Sequence, residues 1–147
     1  MNLFLESLTS VSGMPALGSL LAIFAAWMFL AIIVIVGIYI YMSFAYMSIA
    51  KKNKQTSPGL AWIPGVGPLI VAYKSSRMHW WPWLLLIGLV IPVVGFVALI
   101  VFAVFDVIWH WKLFEAIKKP GWWAVFMVIP LLNIVFLIFV GIAAWSD

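Results

Sequence analysis

The spacing of charge along the chain constrains its fold more than any other feature. Eight basic and four acidic side chains are placed so that four windows, 7–50, 55–73, 78–105 and 120–146, carry no charge. About 20 apolar helical residues cross a 30 Å hydrocarbon core. The first, third and fourth windows reach that length. The second is marginal, because its continuous apolar stretch runs only from Leu60 to Tyr73 and holds two prolines and two glycines. Composition agrees: 67% of the 147 residues are hydrophobic, 8% are charged and the mean hydropathy is +1.23. Soluble domains hold about 45–50% apolar and about 25% charged residues, so a soluble fold and a disordered chain are both excluded. The absence of cysteine excludes a disulfide scaffold, a thiolate metal site and a cysteine nucleophile. The expectation is an all-α integral membrane protein, one membrane domain over 1–147 with about four membrane segments.

Those segments follow from the windows. Residues 1–18 contain Ser, Thr, Gly and Pro and read as an interfacial N-terminus. A signal peptide would need a basic n-region and a shorter apolar run than the one that follows. Residues 20–50 form a first span, apolar all round as a lipid-facing helix is. It is longer than the core is thick, which implies tilt or protrusion. Lys51, Lys52 and Lys54 stop it. Residues 58–73 form a short Pro/Gly-broken segment that either spans or is re-entrant, 80–117 a span with a helical extension, and 120–146 a final span.

The last three segments share a pattern. Ile63-Pro64, Ile91-Pro92 and Ile129-Pro130 are each followed, three residues after the proline, by Gly67, Gly95 and Asn133. Tryptophan precedes every copy: Trp62, then Trp80, Trp81 and Trp83, then Trp122 and Trp123. Trp80, Trp81, Trp83, Trp122 and Trp123 are expected to anchor at the membrane interface, with helix breaks at Pro64, Pro92 and Pro130. A mid-helix proline removes a backbone hydrogen bond that hydrocarbon cannot replace, so packing, water or side chains must repair it. A kinked, packed helix accounts for this. The sharper alternatives are a discontinuous helix lining a ligand or ion site, as in transporters, and a re-entrant turn.

The run Trp111-Lys112-Leu113-Phe114-Glu115-Ala116-Ile117-Lys118-Lys119-Pro120-Gly121-Trp122-Trp123, with Ile129-Pro130-Leu131-Leu132-Asn133 and the closing Ala144-Trp145-Ser146-Asp147, resembles the DUF5684-like group of small prokaryotic membrane proteins. Ala50-Lys51-Lys52-Asn53-Lys54 and Leu60-Ala61-Trp62-Ile63-Pro64 are similar to that family's first loop and first repeat. The likeness covers about residues 40–147. The chain departs from the pattern in having Gly67 and Gly95 where the family often has Asn, and in lacking a Lys-Pro-Gly lead-in to the second repeat. Related domains fused to signal peptidases make the resemblance imply an accessory membrane module in a bacterial or archaeal inner (plasma) membrane. It implies no catalytic residues.

Basic residues bear on orientation. With four spans, six of the eight basic residues (Lys51, Lys52, Lys54, Lys112, Lys118 and Lys119) share one side and Lys74 and Arg77 the other. A re-entrant 60–73 splits them five to three. Folding every Ile-Pro unit back as a hairpin puts all eight on one side, but needs three half-depth turns. The four-span arrangement, both termini outside, is the expectation; cysteines at Asn53 and Ser76 labelled from one face would overturn it.

The polar inventory is small. Asp106 and His110 lie four apart on one helix, where they face each other and could relay protons, sense pH or help packing. Asn133, alone in an apolar helix, either satisfies a carbonyl freed by Pro130, bonds a neighbouring helix or contacts substrate. Lys112, Glu115 and Lys119 have the spacing of an exposed salt-bridged turn, and His79 reads as an interface residue. Lys51, Lys52, Lys54, Lys118 and Lys119 are expected to contact anionic lipids at about 1 kcal/mol each. No enzyme motif, cofactor site, metal site or nucleic-acid surface is indicated. The leading expectation is a non-catalytic, multi-pass module that assembles with itself or with a membrane-protein partner in the lipid bilayer. The alternatives are a small-solute or ion transporter or channel subunit and, if hairpins form, a membrane-shaping protein.

Overall fold

The structure, a computed structural model, describes residues 2–3 and 13–146. The expected interfacial segment therefore lies largely outside the described residues. Among those described, every regular element is helical: α1 (Gly13–Lys52), α2 (Gly67–Ser76), α3 (Pro92–Ala116) and α4 (Asn133–Trp145), joined by 3-10 segments at Pro58–Trp62, Trp81–Val90, Gly121–Met127 and Pro130–Leu132. Two helices are long and apolar enough to cross a membrane, Leu17–Lys52 and Pro92–Ala116. A third is reached if Gly121–Met127 and Pro130–Trp145, bent by 115°, count as one broken span. The expected count of about four is not reached.

The chain forms two compact units, Met1–Ile38 and Tyr39–Asp147. In the first, every described side chain from Leu17 to Ile38 is exposed, Trp27 at 67% among them. This part of α1 buries nothing of its own, as an all-round apolar sequence requires of a helix meant for lipid or a partner.

The second unit is built on the three Ile-Pro steps. Ile63, Ile91 and Ile129 have extended backbone (ψ 119°, 118° and 110°), the conformation a following proline ring imposes. At each step a 3-10 leg arrives and an α-helical leg departs, beginning at or within a few residues of the proline. The legs of the second step lie antiparallel. Trp81 meets Phe105 at 4.9 Å, Trp83 meets Phe102 at 6.0 Å, and a Cβ on Gly88 would stand 3.3 Å from that of Ala98. At about 2.0 Å rise per residue the Trp81–Val90 leg is about 20 Å long, matching the stretch of α3 it lies against.

The glycines identified from sequence serve this fold-back. A Cβ on Gly67 would stand 2.3 Å from the Ala61 carbonyl oxygen, and one on Gly95 would stand 3.0 Å from Leu89 Cα and 3.1 Å from its oxygen. In the third step Asn133 Nδ2 lies 3.5 Å from the Met127 oxygen. Ala61, Leu89 and Met127 each lie three residues before a proline, so theirs are the carbonyls that a continuing 3-10 ladder would have bonded to the missing proline N–H. The approaching backbone is therefore each hairpin's own incoming leg.

Folding back three times makes the α-helices of this unit end together. Lys52 Nζ, at the end of α1, donates to Ala143 O (3.1 Å) and to Ser146 O at the end of α4. Asn53 Nδ2 donates to Ser75 Oγ at the end of α2 (2.9 Å). One cleft is lined by Lys52, Ser75, Arg77 and Ala116, which brings in the end of α3. The four-span arrangement puts Asn53 and Ser76 on opposite faces; in the structure they lie at one end of the unit, because the chain between them doubles back at Ile63-Pro64.

The core beneath joins Tyr46 and Ile49 of α1, Val71 of α2, Trp109, Leu113 and Phe114 of α3, and Phe136 and Val140 of α4. Ala45, Ala50, Ala72, Ala143 and Ala144 let the helix backbones approach. Trp109 is its aromatic centre, stacked on Trp83 (5.6 Å, 23°) with Tyr73 and Phe102 edge-on.

Gly67→Ala is expected to destabilise the protein by about 1–3 kcal/mol, through a backbone clash. Gly59→Ala, with nothing within 4 Å of its Cβ, should stay near neutral. Thermal unfolding in detergent checks both. An impermeant maleimide should label Asn53→Cys and Ser76→Cys from the same membrane face.

Candidate functional site

Three side chains singled out from sequence, Asp106, His110 and Asn133, line one open cavity of about 260 Å³. Tyr46 joins them from α1. The apolar wall comes from Met42, Leu69, Phe102, Met127 and Phe136, and the first Ile-Pro step supplies Gly65 and Pro68. Gly65 sits at φ 78°, a left-handed turn conformation that glycine adopts freely. The proline breaks thus build the cavity: without the fold-backs, residues 65–68, 127 and 133 would not border α3.

His110 is buried, at 2% exposure, and held on both flanks. Its ring meets Tyr46 edge-on at 5.8 Å and Phe136 at 6.0 Å. Nδ1 lies 2.9 Å from the backbone oxygen of Asp106 and 3.0 Å from its carboxylate Oδ1. The backbone oxygen is the better aligned partner, and Oδ1 completes no hydrogen bond within the protein. A carbonyl and a carboxylate oxygen accept, so this geometry assigns a proton to Nδ1.

Two polar atoms at the cavity are left over. Tyr46 is fully buried and its hydroxyl has no protein hydrogen-bond partner; the other is Asp106 Oδ1. Buried polar atoms are nearly always bonded, so the unbonded Tyr46 hydroxyl, in a cavity it shares with the Asp106 carboxylate that His110 Nδ1 contacts at 3.0 Å, marks a place able to accept a polar guest. A carboxylate, a hydroxyl and an imidazole within aromatic walls can hold a small cation or hydrogen-bond donor.

The other sequence candidates lie elsewhere. Pro64, Pro92 and Pro130 are exposed at the hairpin turns, among apolar side chains such as Val90 (84% exposed) and Leu131 (90%). Trp80, Trp81 and Trp122 are exposed. Trp83 is half-buried on Trp109, and Trp123 stacks on Phe139 at 4.5 Å. His79 stacks on Trp80. In the expected salt-bridged turn, Glu115 instead accepts from Trp111 Nε1 (2.7 Å) and Lys119 donates to the Ser146 hydroxyl. Lys51, Lys52, Lys54 and Lys118 are exposed. No three His, Asp or Glu side chains among the described residues could together hold a metal ion.

Sequence reasoning missed Tyr46. A phenol inside an otherwise apolar helix needs a polar partner, and that requirement was the available signal.

Tyr46→Phe is expected to leave thermal stability nearly unchanged or to raise it, since no protein hydrogen bond is lost. Asp106→Ala should cost about 1–3 kcal/mol by removing the carboxylate beside the buried His110. A Tyr46→Phe loss as large as that of Asp106→Ala, in thermal unfolding of the apo protein, would contradict this account. No family model, curated protein or solved structure matches this chain.

Proposed function

We propose that this protein is a small, non-catalytic module of the prokaryotic inner (plasma) membrane that binds a small polar solute or cation, as a transporter or channel subunit does. The observation that carries this reading is the meeting of Tyr46, Asp106, His110 and Asn133 at one cavity beside the proline breaks. Ionisable groups at membrane depth are commonly functional, and helices broken there commonly line solute sites. The kinship with DUF5684-like proteins belongs to the same proposal, resting on the Lys-Pro-Gly-Trp-Trp and Ile-Pro motifs. Under this reading the hairpins enter the bilayer from one face and their apolar turns lie within it.

Assembly with itself or a membrane partner is a second reading, favoured by one observation. Leu17–Ile38 alone is about 33 Å long at 1.5 Å per residue, is apolar, and has every described side chain exposed. One span of that kind suits a helix–helix interface as well as lipid.

The test is reconstitution of the full chain in liposomes with flux measured for protons, alkali cations and small organic ammonium ions. Flux or saturable binding of one of these, lost in Asp106→Asn and reduced at least tenfold in Tyr46→Phe, is the expected result. Silence across the panel, with wild-type and Asp106→Asn equally stabilised or equally indifferent in thermal shift, would sink the solute reading.

A further inference from the structure

The basic end of the second unit carries a different feature, independent of the Asp106 cavity. Two adjoining hollows of about 250 and 270 Å³ share Lys54, Lys74 and Arg77, three cations from two separate segments. We propose that this cleft binds the phosphate of an anionic lipid headgroup.

Its wall is held in place by a bonded network. Asn53 Nδ2 and Gln55 Nε2 donate to Ser75 Oγ (2.9 and 2.8 Å), and Gln55 Nε2 and Ser75 Oγ both donate to Val71 O (3.0 and 2.8 Å). This network ties the loop after α1 to α2, so Lys54 faces Lys74 and Arg77 across a defined gap. Among the described residues none of the three is ion-paired to a carboxylate. Lys52, at the rim, is occupied by the carbonyls of Ala143 and Ser146.

Helix C-termini attract cations by themselves, and α1, α2 and α3 all end here. That effect explains basic residues in the last turns, Lys51, Lys52 and Lys74. It does not explain why Lys54 (φ 53°) and Arg77 (φ 51°) occupy left-handed positions just past the helix ends. Glycine or asparagine is the usual occupant there, because a side chain strains that backbone. Lys118 (φ 60°) repeats the choice at the end of α3. The described non-glycine residues with positive φ are thus all basic, so charge is kept at this end against backbone preference.

The location selects lipid over other anions. Arg77 precedes the exposed Trp80 and Trp81. Tryptophan settles at the headgroup level, which places the cleft in the phosphate layer. Arg adds bidentate phosphate geometry to the two point charges of lysine.

The test is native mass spectrometry of the full chain in detergent, titrated with phosphatidylglycerol and phosphatidylcholine of identical acyl chains. Wild-type protein is expected to prefer phosphatidylglycerol at least tenfold. Each single variant, Lys54→Gln, Lys74→Gln or Arg77→Gln, should weaken that lipid about fivefold, and the triple variant about a hundredfold. Lys112→Gln, outside the cleft, should change little, and Lys74→Arg should restore what Lys74→Gln loses. The single variants and this rescue carry the test if the triple variant does not fold. Lys54→Gly should melt higher than wild type yet bind as poorly as Lys54→Gln. Equal binding of the two lipids, or a Lys112→Gln loss as large as those in the cleft, overturns the proposal. Displacement by inorganic phosphate without any lipid preference assigns the cleft to a soluble phosphate and overturns the lipid assignment.

Discussion

Everything in the second unit depends on what happens to three carbonyl groups. In a 3-10 leg the oxygens of Ala61, Leu89 and Met127 would each bond the N–H three residues on, but Pro64, Pro92 and Pro130 have none. The isoleucine before each proline is driven to extended backbone, the leg ends, and the chain turns back on itself. The returning helix can pack closely only if the residue facing the orphaned carbonyl leaves room or supplies a donor. Gly67 and Gly95 leave room; Asn133 brings its amide to Met127. The donor that each proline lacks, and the room or amide opposite the carbonyl it frees, therefore set where the chain reverses.

The electrostatics follow from that turn. Each hairpin goes in as a 3-10 leg and comes out as an α-helix, so α2, α3 and α4 run the same way as the end of α1. Their C-terminal carbonyls gather at one end, each helix contributing about half a negative charge, and the cations of the chain meet them there. Had the 55–73 window crossed straight through instead of reversing at Ile63-Pro64, Lys74 and Arg77 would lie at the far end from Lys54, and no cleft would exist between them.

Much of the candidate site was legible in the sequence. Asp106 and His110 face each other because residues four apart on a helix do, and the structure keeps that pair. Asn133 stood out as the lone amide in an apolar run, and one of the roles foreseen for it, partnering the carbonyl freed by Pro130, matches its contact with Met127. What could not be read was that these residues share one cavity with Tyr46, which is 60 positions from Asp106 in the chain. Nor could the split among tryptophans be read. Trp80 and Trp83 have the same lead-in context, yet Trp80 is exposed and Trp83 lies on Trp109, a distinction set by which side of the 3-10 leg faces α3.

The sequence by itself determined the solvent and the secondary structure of this protein. Long uncharged windows require an apolar surrounding, an apolar surrounding requires internally bonded backbone, and that leaves helices interrupted where proline removes a donor. It also determined where the interruptions fall. Only the tertiary structure decided their consequence, because a proline is compatible with a kink, a broken span or a reversal, and the choice depends on whether the two legs can pack. The close approach at Gly67 and Gly95, the stacking of Trp83 on Trp109 and the alanine-lined contact of α1 with α4 favour reversal. Those contacts join residues far apart in the chain, and no local pattern of hydrophobicity or charge encodes them.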